Sequence, residues 1–132
     1  MLLWSWAEER LAAARNYWIV TGSGARGPHA TPVWGLWDGG GVVFSCGHGS
    51  RKARNLEADP RLVVHLESGD DVVIVEGEAE RIEPDEALLA AYADKYQPVD
   101  PEIGNWYRVR TRRVLAWQEA SYPGNATRFD FP

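Results

Sequence analysis

A chain of 132 residues is the length of one domain and can bury only a modest core. Its 14 lysines and arginines stand against 19 aspartates and glutamates, and a formal net charge of −5 argues against general nucleic-acid binding, which needs a basic face. A single cysteine, Cys46, excludes an intramolecular disulfide and a cysteine-based metal cluster, and His29, His48 and His65 stand too far apart to show a ligand spacing.

The N-terminal stretch Met1–Glu9 lacks a basic start and turns acidic at once, so no signal peptide is expected. No apolar run is long enough to span a bilayer, and the default expectation is a cytoplasmic protein without a membrane partner. Ala7–Asn16 has helical composition, with Leu11 and Ala14 on one face. Tyr17–Thr21 is β-branched and aromatic and reads as a strand, and Gly22–Gly27 reads as a turn. The run Pro28–Asp38 holds Val33-Trp34-Gly35-Leu36-Trp37 and ends in the hairpin composition Asp38-Gly39-Gly40-Gly41, which leads into a third strand over Val42–Ser45.

A short helix over Ser50–Ala58 is stopped by Asp59-Pro60. Two apolar strands follow, Arg61–Glu67 and Val72–Ile82, joined by the turn Ser68–Asp71. His65 falls inside the first of them and is expected as a core histidine. Pro84-Asp85 starts a helix over Glu86–Lys95, and Pro98 and Pro101 mark an irregular connection. Trp106–Glu119 is a long strand with a bulge-like doubling at Arg112-Arg113, and Ala126–Phe131 alternates like an edge strand. Six or so antiparallel strands joined mostly by tight turns, with an N-terminal helix and connecting helices, predict a mainly β fold closed as a small split β-barrel within one domain over 1–132.

One segment carries chemistry. Ser50-Arg51-Lys52 places a hydroxyl, a guanidinium and an ammonium at a helix N-terminus, where free backbone N–H groups and the helix dipole already favour an anion. A phosphate fits that chemistry. The same residues also make an ordinary surface helix capped by Ser50, and local chemistry alone leaves both readings open. The seven tryptophans suit core or interface packing, or the walls of a pocket for a planar ligand.

Taken in order, Tyr17–Thr21, Gly27-Pro28-His29-Ala30-Thr31-Pro32-Val33-Trp34, Val43-Phe44-Ser45, Ser50–Leu56 with Asp59-Pro60-Arg61, and Val75–Ala79 resemble the pyridoxamine 5′-phosphate oxidase superfamily of flavin- and deazaflavin-binding split barrels. The likeness covers roughly residues 10 to 82, with a weaker echo at Ala126–Phe129. It implies a homodimer with the cofactor at the subunit interface. By position, it implies that Ser50, Arg51 and Lys52 bind the phosphate, that Ser45 and Cys46 sit beside the ribityl chain, and that Pro32, Val33 and Trp34 run along the ring, largely through backbone groups.

The departures narrow the resemblance. Ala30 and Val72 stand where the B6 oxidases resemble one another in an arginine and a glutamine, and the chain is too short for their substrate-binding C-terminal region. The closer likeness is to the branch dependent on coenzyme F420, in which Pro-His-x-Thr-Pro-Val-Trp and Ser-Arg-Lys-Ala-Arg-Asn-Leu recur. That likeness implies an oxidoreductase transferring a hydride between F420 and a small organic substrate. The alternatives are FMN in the same site, or a flavin- or haem-binding carrier without turnover. Arg51, Lys52 and Arg54, with Arg26 or the arginines of Arg108–Arg113, are candidates to receive the acidic F420 tail. No nucleophilic triad, paired carboxylates or metal cluster is evident, so no catalytic side chain is assigned; Tyr17 and His29 are candidate proton donors. His48 is expected either to meet a ribityl hydroxyl or, more simply, to face solvent.

Overall fold

The computed structural model describes residues 1–22 and 24–132; Ser23, inside the expected Gly22–Gly27 turn, lies outside the described residues. Among the described residues, eight strands and three α-helices follow one another along the chain. The first helix, α1 (Trp4–Ala13), starts three residues before the expected Ala7 and ends short of Asn16. Leu3 at its N-cap makes no side-chain cap, so packing rather than capping sets its start. Trp4 meets Trp37, Phe129 and Phe131 edge-on, with centroids 6.0, 5.2 and 4.9 Å away, while Ala7 and Leu11 are fully buried.

Strand β1 (Tyr17–Thr21) buries Tyr17, Ile19 and Thr21 and turns Trp18 and Val20 outward, a period-two pattern. The Pro28–Asp38 run, expected as one strand, is two: β2 (His29–Val33) pairs with β1, and β3 (Gly35–Trp37) pairs with β4 (Val42–Gly47). The chain changes partner at Trp34-Gly35. Gly35 makes this possible, since a Cβ there would lie 2.8 Å from the Val43 carbonyl oxygen and 3.0 Å from the Tyr17 ring. Its backbone is satisfied from helix α3 (Glu86–Lys95) and the residue after it: Lys95 Nζ donates to the Gly35 carbonyl at 2.9 Å, and the Gly35 N–H donates to Tyr96 Oη at 3.0 Å.

Helix α2 (Arg51–Ala58) leads into β5 (Arg61–His65), β6 (Asp71–Ile82), β7 (Gly104–Gln118) and β8 (Thr127–Asp130). All pairings are antiparallel, in the order β2-β1-β5-β6-β7-β4-β3. On its other edge β7 carries β4 along its first half and β8 along its second, so the tail does add an edge strand. The sheet curls into the expected mainly β split barrel, with eight strands rather than six or so. The bulge falls where the sequence doubled its arginines: Glu76 faces Arg113 while Gly77 faces Thr111, leaving Arg112 unpaired across β6. Gly77 has no room for a Cβ against the Arg110 carbonyl.

Tyr17, Phe44, Ile19, Val64, Val75 and Val109 fill the barrel interior. His65 is not among them. It lies half-buried on the outer sheet face, its ring parallel to Trp18 at 6.0 Å and 1°, with Nδ1 2.8 Å from the Leu66 carbonyl oxygen. Strand alternation explains the difference: Val64 takes the inward position, so its neighbour must face out.

Candidate functional site

Strand β4 delivers Ser45 and Cys46 to a tight loop, and the Ser50 N–H donates to the Gly47 carbonyl at 3.0 Å to close it. Ser50 then caps α2, its Oγ accepting from the Ala53 N–H at 3.1 Å. Arg51 and Lys52 are left as first-turn residues whose amides have no intrahelical acceptor. The helix is fixed against the barrel by buried Ala53, Asn55 and Leu56, and Asn55 Nδ2 donates to Thr21 Oγ1 at 3.0 Å. This single bond ties the helix to the end of β1.

The same corner holds the start of β2. His29 pairs with Thr21 across the β1–β2 ladder, so it shares the inner face on which Thr21 meets α2. Thr31, two residues on, shares that face. Three enclosed polar atoms here have no partner among the described residues: His29 Nδ1, Thr31 Oγ1 and Arg51 Nε. Enclosed polar atoms in folded proteins are normally satisfied. Arg51 reaches the Arg26 carbonyl through Nη2 at 2.8 Å, and neither Arg51 nor Lys52 forms an ion pair with a carboxylate among the described residues. Desolvation first, then the Arg51 and Lys52 charges, lower the His29 pKa below its ordinary value. The corner is thus electropositive and short of hydrogen-bond acceptors among the described residues.

The remaining expected residues are distributed around it. Cys46 is buried in the core, and burial pushes its thiol pKa up despite the nearby Ser50 hydroxyl and Lys52 charge. Ser45 pairs with Trp106, and its Oγ lies over Gly104, where a Cβ would come within 2.7 Å of it. Pro32 is exposed on the outer face beside Trp18, and Val33 packs partly against the core. Trp34 stacks on Tyr96 at 4.7 Å and 4°, with the Arg15 guanidinium 5.6 Å from its ring. Its side chain is therefore engaged, and its backbone is the part left for recognition. Strand β2 runs from the anion corner at His29 toward Pro32–Trp34 at its other end.

Two expectations change on this geometry. Tyr17 is fully buried, its Oη donating to the Leu11 carbonyl at 2.5 Å and accepting from Lys95 Nζ at 3.2 Å; burial and then Tyr96 push its pKa far above the phenol range. It cannot hand a proton to a bound substrate. In the arginine-rich strand, Arg108 pairs with Asp38 at 2.7 Å, Arg112 with Glu78 at 2.9 Å, and Arg113 with Asp130 at 3.2 Å. Those three cations are already neutralised, whereas Arg26, Arg54 and Arg110 are exposed and outside any ion pair among the described residues. His48 is exposed, as the simpler expectation had it, but both of its ring nitrogens are bonded. Sequence reasoning did not assign His29 and Thr31 to the phosphate corner; the His-x-Thr spacing, which puts both on one face of a strand, was the available signal.

Comparison with known proteins agrees with this architecture. The sequence model of the pyridoxamine 5′-phosphate oxidase family matches residues 6–119. A curated pyridoxine/pyridoxamine 5′-phosphate oxidase from Enterobacter sp. (strain 638) is 35% identical over 82 residues, which are 61% of this chain and 36% of the relative. The matched stretch thus spans about a third of that relative's length. Among solved structures, a conserved hypothetical protein from Mycobacterium tuberculosis superposes with a TM-score of 0.76 at 25% identity, covering 89% of this chain and 86% of the other. An F420 reductase does so with a TM-score of 0.68 at 24% identity, covering 81% and 94%. At these identities the superpositions speak for the fold. Through the family match over most of its length, the chain belongs to the pyridoxamine 5′-phosphate oxidase family.

Proposed function

We propose that this protein is an oxidoreductase that binds coenzyme F420 and transfers a hydride between it and a small organic substrate. The observation that carries the reading is the corner of unpaired polar atoms, His29 Nδ1, Thr31 Oγ1 and Arg51 Nε, beside the Ser50-capped start of α2. A phosphate there supplies the missing acceptors and meets two cations that lack a carboxylate partner among the described residues. Ser50, Arg51 and Lys52 hold the phosphate in this reading, with Ser45 and Cys46 beside the ribityl chain. Pro32, Val33 and Trp34 offer backbone N–H and C=O groups to the ring edge. The bound cofactor supplies the hydride chemistry, and the protein supplies binding, orientation and a shaped site.

FMN is the second reading, and one observation favours it. The ion pairs of Arg108, Arg112 and Arg113 remove three of the cations that the acidic F420 tail would use, leaving Arg26, Arg54 and Arg110. The protein works as a homodimer in either reading. Pro32, Trp18, His65, Ile74 and Leu115 are consecutive cross-strand partners, so they form one row on the outer sheet face. A mostly apolar row beginning at Pro32 suits a subunit interface that closes over the ring.

Mass spectrometry of the ligand extracted from purified protein tests the cofactor, and its absorption spectrum separates a deazaflavin from a flavin and from haem. Reduction or oxidation of the bound chromophore by a small organic substrate supports the enzyme. A chromophore whose redox state never changes indicates a carrier, and a colourless protein that takes up none of the three contradicts the reading. Light scattering showing a stable monomer that binds cofactor contradicts the dimer.

A further inference from the structure

The loop between β4 and α2 contains a histidine held between two oxygens. His48 Nδ1 lies 2.6 Å from Oδ1 of Asn105 at the start of β7, and Nε2 lies 2.6 Å from the backbone carbonyl oxygen of Glu102 in the 3-10 turn Pro101–Ile103. A carbonyl can only accept. The Asn105 amide faces His48 with Oδ1 and donates from Nδ2 to Tyr107 Oη at 3.2 Å. With the amide in that orientation both contacts need an N–H on the ring, which only the imidazolium provides. A neutral ring sets a lone pair against one of the two oxygens.

The β4–β7 ladder ends at Gly47, and a Cβ built at Gly47 or at Gly49 would meet nothing within 4 Å. Beyond the Gly47–Gly104 pair, His48 supplies the loop's side-chain hydrogen bonds to the start of β7 and the turn before it, and Ser50 two residues later caps α2.

We propose that His48, as an imidazolium, is a positioning residue that clamps the β4–α2 loop to the start of β7 and so sets the first turn of α2 in the position that receives the phosphate. The role toward a ligand rests on the phosphate reading above; the clamp itself does not. The bonds to the Glu102 carbonyl and the Asn105 amide raise the His48 pKa above its ordinary value, while Arg81 on β6 opposes them. The titratable groups nearest to it along the adjoining elements are Cys46 on β4, Arg51 and Lys52 on α2, Asp100 and Glu102 at the 3-10 turn, and Tyr107 on β7. A raised folded-state value fixes the sign. The clamp is complete below about pH 6.5 and is lost as pH rises through the raised value.

The test has two arms. In ligand-free protein, nitrogen–proton correlation spectra follow the His48 ring and the Gly47, Gly49 and Ser50 amides between pH 5 and pH 9, in the wild type and in Asn105→Ala. The expected result is a His48 midpoint above the ordinary value, traced by the three amides, which moves down in Asn105→Ala. FMN, F420 and riboflavin are then titrated into the wild type and His48→Gln at pH 6 and pH 8.5. Wild-type affinity for whichever of FMN and F420 binds should fall by about three- to tenfold more than that of His48→Gln over this range, the size of a single hydrogen bond. Riboflavin, lacking the phosphate, should show no such difference. An ordinary His48 midpoint with static loop amides overturns the clamp. Binding of FMN or F420 with the same pH profile in both proteins overturns its role while the phosphate reading stands. A titrating clamp in a protein that binds neither FMN nor F420 supports the clamp and overturns the phosphate reading.

Discussion

The contact between Asn55 and Thr21 makes the anion corner dependent on one buried hydrogen bond, and removing it has a calculable effect. Asn55 is fully buried and Thr21 nearly so; Asn55 Nδ2 donates to Thr21 Oγ1 at 3.0 Å, while Asn55 Oδ1 has no partner among the described residues. Thr21→Val keeps the shape and strips the acceptor, so the whole Asn55 amide is left buried and unpaired. Such a loss costs about 1–3 kcal/mol, more than the net value of the bond itself, because desolvation of the amide is no longer offset. For a chain of this size that lowers the melting temperature by roughly 3–12 °C. Thr21→Val/Asn55→Leu removes both polar partners and should recover at least about 1 kcal/mol of the summed single losses. Urea denaturation followed by tryptophan fluorescence, with the slope unchanged across the four proteins, measures the cycle. Losses that add to within about 0.5 kcal/mol would refute the coupling.

Gly77→Ala drives a methyl into the Arg110 carbonyl beside the β-bulge, and the strands cannot separate without breaking the ladder; a loss of about 1–3 kcal/mol in urea denaturation is expected. Asp38 is raised by burial but lowered further by the Arg108 guanidinium and the Gly40 and Gly41 amides, giving a net depressed carboxyl. A depressed carboxyl stabilises the fold above its unfolded value and loses that contribution as pH falls through the folded one. Asp38→Asn should therefore be less stable than the wild type at pH 7, with the gap closing below about pH 4 in parallel thermal melts. Tyr17→Phe should lower stability by about 1–3 kcal/mol through the unpaired Leu11 carbonyl, yet leave hydride transfer intact in stopped-flow absorbance; loss of turnover without loss of stability would return Tyr17 to the proton-donor role.

The strands were legible because most of them alternate or run apolar between turn residues, and the Arg112-Arg113 doubling marked its bulge. Less visible was the split of Pro28–Asp38, since the change of partner at Gly35 depends on Lys95 and Tyr96, some sixty residues away. The start of α1 is set by Trp4 packing on Phe129 and Phe131, contacts that no local pattern encodes. At the site, Ser50-Arg51-Lys52 announced itself through helix-start chemistry, which is local. The contribution of His29 and Thr31 comes from β2 folding back beside α2, and the neutralisation of Arg108, Arg112 and Arg113 depends on acids brought in from the turn after β3 and from β6 and β8. Tyr17 was misread as a possible donor because its burial is likewise a property of the assembled barrel.

The account stands on a phosphate at the first turn of α2. Equilibrium titration of FMN, riboflavin and F420 into the wild type and Arg51→Ala/Lys52→Ala, with circular dichroism to verify the fold, tests it most directly. Two charge-assisted contacts at about 1.5 kcal/mol or more each correspond to at least about a hundredfold. The wild type should bind its phosphorylated cofactor at least that much more tightly than the double variant, which should bind FMN no better than riboflavin. Equal affinity of the wild type and a folded double variant for FMN and F420 would contradict the account.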